Sequence, residues 1–117
     1  MQNQPQITVR GMEHSPALDD HIRQRVGKLD QFFSPIISCR VVAEAPHKHQ
    51  QQGRQFAVRL EISVPGKEIV VNRDHSEDIY VALRDAFDAA RRQLEEHARI
   101  QRGETRGGRR QTDIGQQ

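Results

Sequence analysis

Two segments of this chain carry basic side chains at helical spacing, and these residues are the best suited to bind a ligand. An arginine can hold a phosphate through two hydrogen bonds and can stack on a base. Because acids interleave with these residues, spacing alone favours basic side chains that solvate a helix face and pair with nearby acids. Contact with nucleic acid is the functional alternative. The candidate RNA-binding residues are Arg23, Arg25, Lys28, Arg84, Arg91, Arg92, Arg99 and Arg102.

Helical spacing places these candidates on different flanks of the two predicted helices. On the first helix, Arg25, Lys28 and His21 lie on one flank of the apolar stripe, and Arg23 lies on the other. The second helix carries three candidates on one flank and two more about 80° further round. These are, in that order, Arg84, Arg91 and Arg102, followed by Arg92 and Arg99.

Few side chains could act as nucleophiles or metal ligands. Cys39 belongs to an alternating strand pattern that points it inward, so a buried and inert thiol is expected. His47 and His49 lie in a polar loop without the third ligand that a metal site needs, although the loop could still touch RNA. Because no catalytic constellation is found, the chain is predicted not to be an enzyme and to use no metal or cofactor.

The segment from Asp74 to Asp78 is interpreted as the entry to the second helix. Ser76 is the predicted N-cap, and acidic residues after it would lie at the positive end of the helix dipole. Tyr80 follows at the edge of the apolar stripe. Its ring is predicted to pack there with the hydroxyl at the surface, and the alternative is that it stacks on a base.

Composition limits the classes of protein that this chain can belong to. The chain has 117 residues, which suggests one domain, and its 34% hydrophobic content with no tryptophan predicts a small aliphatic core. Its 18 basic residues against 16 acidic ones give a net charge of only +2, so a nucleic-acid role requires charge to be segregated on one face. With one cysteine, no membrane-length apolar run and no signal-peptide pattern, the chain is predicted to be cytoplasmic.

The periodicity of apolar residues predicts six elements in the order β-α-β-β-β-α. Residues 6–10, 37–44, 56–64 and 68–72 alternate as strands, a first helix starts at Ser15-Pro16, and a second runs from about Glu77 to about Arg102. The predicted fold is an α+β two-layer sandwich, with a four-stranded sheet and two helices on one face. It resembles a double-stranded-RNA-binding domain with an extra N-terminal strand. Residues 1–102 form this domain, and residues 103–117 are predicted to be a disordered tail.

Three short motifs, in the right order, resemble one family. The first helix ends in VGKLDQFF from Val26 to Phe33, and the second opens with EDIYVAL from Glu77 to Leu83 and continues with RQL from Arg92 to Leu94. These runs are similar to motifs of the ribosome hibernation-promoting factors, also called protein Y or ribosome-associated inhibitors. The resemblance covers residues 6 to about 102 and fits a short form from a divergent branch.

The resemblance implies a stress or stationary-phase protein that binds the small ribosomal subunit near the decoding region. Such a protein blocks messenger and transfer RNA by occupancy, without a small-molecule substrate or a membrane. The eight candidates would then contact ribosomal RNA, with Arg92 best placed. Glu95 and Glu96 stand where the family carries lysines, which shifts the expected contact toward Arg99, Arg102 and the tail. The alternatives are a general structured-RNA-binding domain and a protein–protein adaptor acting off the ribosome.

Overall fold

The computed structural model describes residues 1–33, 35–45, 56–76 and 78–103, without the side chains of residues 74–76. Within these ranges the predicted order of elements is confirmed. The elements are β1 (Gln6–Arg10), α1 (Pro16–Phe32), β2 (Ser38–Glu44), β3 (Phe56–Val64), β4 (Lys67–Ser76) and α2 (Ile79–Gln101). No helix among the described residues is long and apolar enough to cross a membrane.

The four strands form one mixed sheet in the order β1-β2-β3-β4. β1 and β2 are parallel, so the chain must cross over between them, and α1 is that crossover. The other two pairs are antiparallel, and the predicted β3–β4 hairpin is confirmed by the pairing of Val64 with Lys67. Gly66 closes this hairpin at a φ of 82°, a left-handed conformation that favours glycine.

The two faces of the sheet differ in burial, as strand alternation predicts. Side chains such as Val41, Leu60 and Val71 are buried and belong to a single core cluster with the apolar stripes of both helices. Both helices therefore cover the same face of the sheet. On the opposite face, residues such as Arg40 and Arg59 are exposed.

The start of α1 is confirmed as predicted. The Ser15 hydroxyl accepts a hydrogen bond from the backbone N–H of Leu18 at 3.1 Å, and Pro16 occupies the first helical turn. This arrangement satisfies a backbone donor that would otherwise be unpaired. The predicted stripe of Leu18, Ile22, Val26, Leu29 and Phe33 is buried.

The predicted start of α2 is wrong. β4 continues to Ser76, which pairs with Phe56 on β3, so Ser76 is part of the sheet and not a helix cap. The N-cap is Asp78, whose carboxylate accepts a hydrogen bond from the backbone N–H of Tyr80 at 2.8 Å. Backbone pairing with β3 thus outweighs the local preference of the Asp74–Ser76 segment for a helix entry.

Candidate nucleic-acid interface

A groove of about 120 Å³ lies between the two helices and brings predicted residues of both together. Two contacts along the groove show that the helices run in the same direction. His21 contacts Tyr80 in the N-terminal half of each helix, and Phe32 contacts Arg91 further toward the C-terminus of each helix. Three basic side chains line the groove with one acid and three apolar residues. The lining consists of Arg25, Lys28, Leu29, Phe32, Phe87, Asp88 and Arg91.

Arg91 is held over an aromatic ring. Its guanidinium carbon lies 4.7 Å from the centre of the Phe32 ring, and 38% of Phe32 is exposed. The negative face of the ring attracts the cation without neutralising its charge. Arg91 is therefore oriented at the mouth of the groove while its hydrogen-bond donors remain open to a ligand.

Arg25 is oriented by a histidine. Its Nε donates a hydrogen bond to Nε2 of His21 at 3.0 Å, and this bond requires that nitrogen to be unprotonated. The pKa of His21 lies below its usual range, first because burial disfavours the charged ring and then because Arg25 and Lys28 are close. The Tyr80 ring meets the His21 ring edge-on at 4.7 Å and remains 41% exposed.

Lys28 is exposed and has no ion-pair partner within the described part of the chain. Asp88, on the facing helix, is the only acid that lines the groove among the described residues. Lys28, Arg25 and Arg91 therefore leave the groove with an excess of positive charge. This excess is the charge segregation that the near-balanced composition of the chain requires for a nucleic-acid role.

Two other predicted residues of α2 are engaged by neighbouring acids. Arg84 lies one heptad before Arg91, so the two point in nearly the same direction, but its Nη2 pairs with Asp85 at 3.2 Å. Arg99 pairs with Glu96, one of the acids that depart from the family's lysine-rich pattern. Both arginines are exposed, so these pairs compete with a ligand only weakly.

The remaining candidates lie outside the groove. Arg92 is exposed, points about 100° away from Arg91, and has no ion-pair partner in the described ranges. Arg102 caps α2 through a backbone N–H bond of 3.0 Å to the Ala98 carbonyl. Arg23 lies on the far flank of α1, as predicted, where it pairs with Asp19 at 2.6 Å.

Asp19 also shows how the far flank differs from the groove. The hydrogen bond from Arg23 and a second one from His14 hold the pKa of this carboxyl below its usual range. The charge of Arg23 is therefore largely balanced within α1. The structure thus groups Arg25, Lys28 and Arg91 in one groove and separates Arg23 from them.

The prediction that Cys39 points into the core is confirmed. The thiol is buried, and burial raises its pKa to about 12. No group of residues suited to hold a metal occurs in the described ranges. The predicted loop that contains His47 and His49 lies outside the described residues, as does the predicted tail beyond Gly103.

Phe32 is a groove residue that the sequence analysis did not single out as functional. Its position in the sequence could have indicated this role, because Phe32 lies one helical turn after Lys28 and outside the buried stripe of α1. His97 was also missed. It is 9% exposed and packs near the Phe33 ring, with a centroid separation of 6.1 Å.

Solved structures define the class of fold. The chain resembles the N-terminal domain of Protein Y from Thermus thermophilus with a TM-score of 0.66 and 20% identity, over 83% of this chain and 99% of that domain. It also resembles a ribosomal subunit interface protein from Coxiella burnetii with a TM-score of 0.68 and 19% identity, over 80% of this chain and 96% of that one. At these identities the likeness establishes a shared fold.

Sequence comparison identifies the family. The family model described as Sigma 54 modulation protein / S30EA ribosomal protein matches residues 6–102, so the chain belongs to that family. A ribosome hibernation promoting factor of Pseudomonas putida is 28% identical over 104 residues, which are 87% of this chain and 95% of the relative. The ribosome hibernation promotion factor of Bacillus subtilis is 26% identical over 92 residues, and there the matched part is 76% of this chain but only 46% of the relative.

Proposed function

We propose that this protein is a ribosome-associated regulator of translation that promotes hibernation, acting by binding rather than by chemistry. Family membership and the relatives named as hibernation factors support this function. The observation that carries the proposal is the interhelical groove, where Arg25, Lys28 and Arg91 lie together with little acidic compensation. A ribosome presents mainly phosphate on its RNA surface, and such a groove suits that ligand.

The finer mechanism is also proposed. The groove and the outward-facing Arg92 contact RNA of the small ribosomal subunit near the decoding region, where the protein blocks messenger and transfer RNA during stress or stationary phase. Arg84, Arg99 and Arg102 extend the contact along α2, and Arg23 adds charge from the other flank. Four further predictions belong to this proposal. They are the resemblance to a double-stranded-RNA-binding domain, the domain boundary after residue 102, the disordered tail and the cytoplasmic location.

Sedimentation through sucrose gradients tests this function. The purified protein is expected to migrate with small subunits and whole ribosomes, and to be displaced when messenger and transfer RNA are bound. Raising the salt concentration should weaken the association, because phosphate contacts release counterions. If the protein co-sediments but bound messenger and transfer RNA do not displace it, the decoding-region assignment is wrong. If it stays at the top of the gradient at low salt, the ribosomal function is wrong.

Charge reversal in the helices sharpens this test. Arg91→Glu and Arg92→Glu should each weaken ribosome association by about tenfold or more, since each replaces an attractive charge with a repulsive one. Lys67→Glu is the matched control, because Lys67 is exposed at the start of β4 and does not line the groove. Equal losses in all three variants would mean that net charge, and not the helical surface, governs binding.

A further inference from the structure

The uncovered face of the sheet carries an arginine from each of β1, β2 and β3, and an arginine of the edge strand β4 lines the same groove. Arg10 of β1, Arg40 of β2, Arg59 of β3 and Arg73 of β4 line one groove of about 430 Å³. This groove lies on the side of the sheet opposite to the helices, so it is separate from the interhelical groove. None of the RNA-binding residues predicted from the sequence lines this groove.

Three of these arginines belong to one polar network across the sheet. Glu61 accepts a hydrogen bond from Arg59 Nε at 2.8 Å, and its other oxygen lies 3.9 Å from Arg40 Nη1. Arg59 also donates to the Asn72 side chain at 3.2 Å, and Arg73 donates to the Asn72 carbonyl at 2.8 Å. The Glu61 carboxylate thus lies between two guanidinium groups, as a phosphate would.

The network leaves positive charge unbalanced. Four arginines line the groove with two glutamates, Glu44 and Glu61, which leaves two positive charges within the groove. A third acid of this face, Glu68, lies outside the groove. Arg40 and Arg59 remain 55% and 45% exposed, so their free donors face solvent. The Arg59 hydrogen bond, followed by the charges of Arg59 and Arg40, keeps the pKa of Glu61 below its usual range.

The other side chains of this face indicate the kind of partner. Among its described residues no aromatic ring is available to stack on a base, so base recognition of the type used by other RNA-binding sheets is not supported. Exposed apolar residues are also sparse, with Val70 at 39% exposure the main one, whereas protein interfaces need buried apolar or aromatic anchors. A row of planar cations with little apolar surface suits a phosphate backbone.

We propose that the uncovered sheet face is a second RNA-binding surface, which holds a phosphate backbone without reading its bases. One chain would then contact two RNA segments, one on the helices and one on the sheet. This inference rests on the proposed function for the identity of the RNA as ribosomal, whereas the phosphate site itself rests on the sheet arginines.

The test measures binding of a fluorescein-labelled RNA hairpin as a function of salt concentration. Arg40→Gln with Arg59→Gln should lower the slope of log affinity against log salt by about 1.4 to 1.8, because each phosphate contact contributes about 0.7 to 0.9. Lys28→Gln with Arg91→Gln is the matched variant of the helix groove. The wild type should bind two hairpins per chain at low salt, and either double variant should bind one.

A conservative pair separates charge from structure. Arg40→Lys with Arg59→Lys should retain most of the salt dependence. Every variant should stay folded and melt cooperatively, because the substituted side chains lie at the surface. An unchanged slope and stoichiometry in the Arg40→Gln/Arg59→Gln variant would overturn the proposal. Competition by polyglutamate as strong as that by unlabelled RNA would overturn it in favour of a surface for acidic protein.

The two proposals fail in different ways. Suppose that the wild type does not co-sediment with ribosomes, but the Arg40→Gln/Arg59→Gln variant (the sheet variant) binds one RNA hairpin where the wild type binds two. The ribosomal function is then wrong, and the second RNA surface stands. If the wild type co-sediments and the sheet variant behaves like it in both assays, the second surface is wrong and the ribosomal function stands.

Discussion

The interhelical groove and the uncovered sheet face both present arginines, but they orient them in different ways. In the groove, Arg91 rests on the Phe32 ring, which attracts the cation and leaves its charge intact. On the sheet, Arg40 and Arg59 are oriented by Glu61, which cancels part of their charge. An aromatic support therefore yields a stronger phosphate site than an acidic one, and we expect the helical surface to bind more tightly.

The largest expected effect comes from a core substitution that destabilises the fold and so disrupts the interhelical groove and the uncovered sheet face together. Leu60 is fully buried between the sheet and the helices, and Leu60→Asp places a charge in a small core that offers it no partner. The free energy of unfolding should fall by about 4 kcal/mol or more, a large part of a typical total. Urea unfolding measures this loss. Ile100→Asp is the control, since Ile100 is 54% exposed and should change stability little; a similar loss there would contradict the assignment of the core.

A smaller effect should come from the aromatic support alone. Phe32→Leu keeps an apolar side chain but removes the ring beneath Arg91, an interaction of about 0.5 to 1 kcal/mol at an exposed site. Ribosome affinity should fall about two- to fivefold, as that energy implies. Phe32→Tyr retains a ring and should bind like the wild type. If both variants lose affinity equally, the ring face does not orient Arg91.

Removing one acid from each surface should strengthen RNA binding. The size of the two gains should show that the sheet acid suppresses binding more than the groove acid does. Asp88→Asn in the groove and Glu61→Gln on the sheet each add one net positive charge. Glu61→Gln should give the larger gain, about two- to threefold in affinity for the RNA hairpin at low salt, because it also releases two arginines. Fluorescence anisotropy measures both gains. A larger gain from Asp88→Asn would reverse the comparison.

The smallest effect is the pH dependence that His21 adds on the helical side. The pKa of His21 is about 6.5 in the unfolded chain and lies below that in the folded protein. At a pH between the folded and the unfolded pKa, the unfolded chain therefore binds more protons than the folded one. The contribution of His21 to stability is therefore complete above pH 6.5 and is lost as the pH falls below it. Melting temperatures across that range, compared between the wild type and His21→Gln, should show a smaller decline in the variant. An identical decline would assign the effect to another group.

Local patterns predicted most of the fold, because periodicity and capping are properties of neighbouring residues. The Ser15 cap and the buried stripe that includes Ile22 and Leu29 follow from spacing alone. The start of α2 could not be predicted in this way. Whether Ser76 caps a helix or ends a strand depends on its pairing with Phe56, 20 positions earlier in the chain.

The candidate site was predictable to a lesser degree. Spacing placed Arg25 and Lys28 on one flank of α1, and the structure brings both to the groove. Which residues of α2 face them depends on the direction and rotation of the packed helices, so the approach of Arg91 to Phe32 could not be derived from either helix alone. The grouping of arginines on the sheet could not be derived from single strands either, because the register between strands sets which residues are neighbours.

The burial of Cys39 gives the molecule its own reporter of opening. With a pKa of about 12, the thiol is almost entirely protonated at neutral pH, and it lies under the helices where an alkylating reagent cannot reach it. Labelling must therefore await separation of the helices from the sheet. Because this is the chain's single cysteine, its rate of modification reports those openings without an added dye or an introduced mutation.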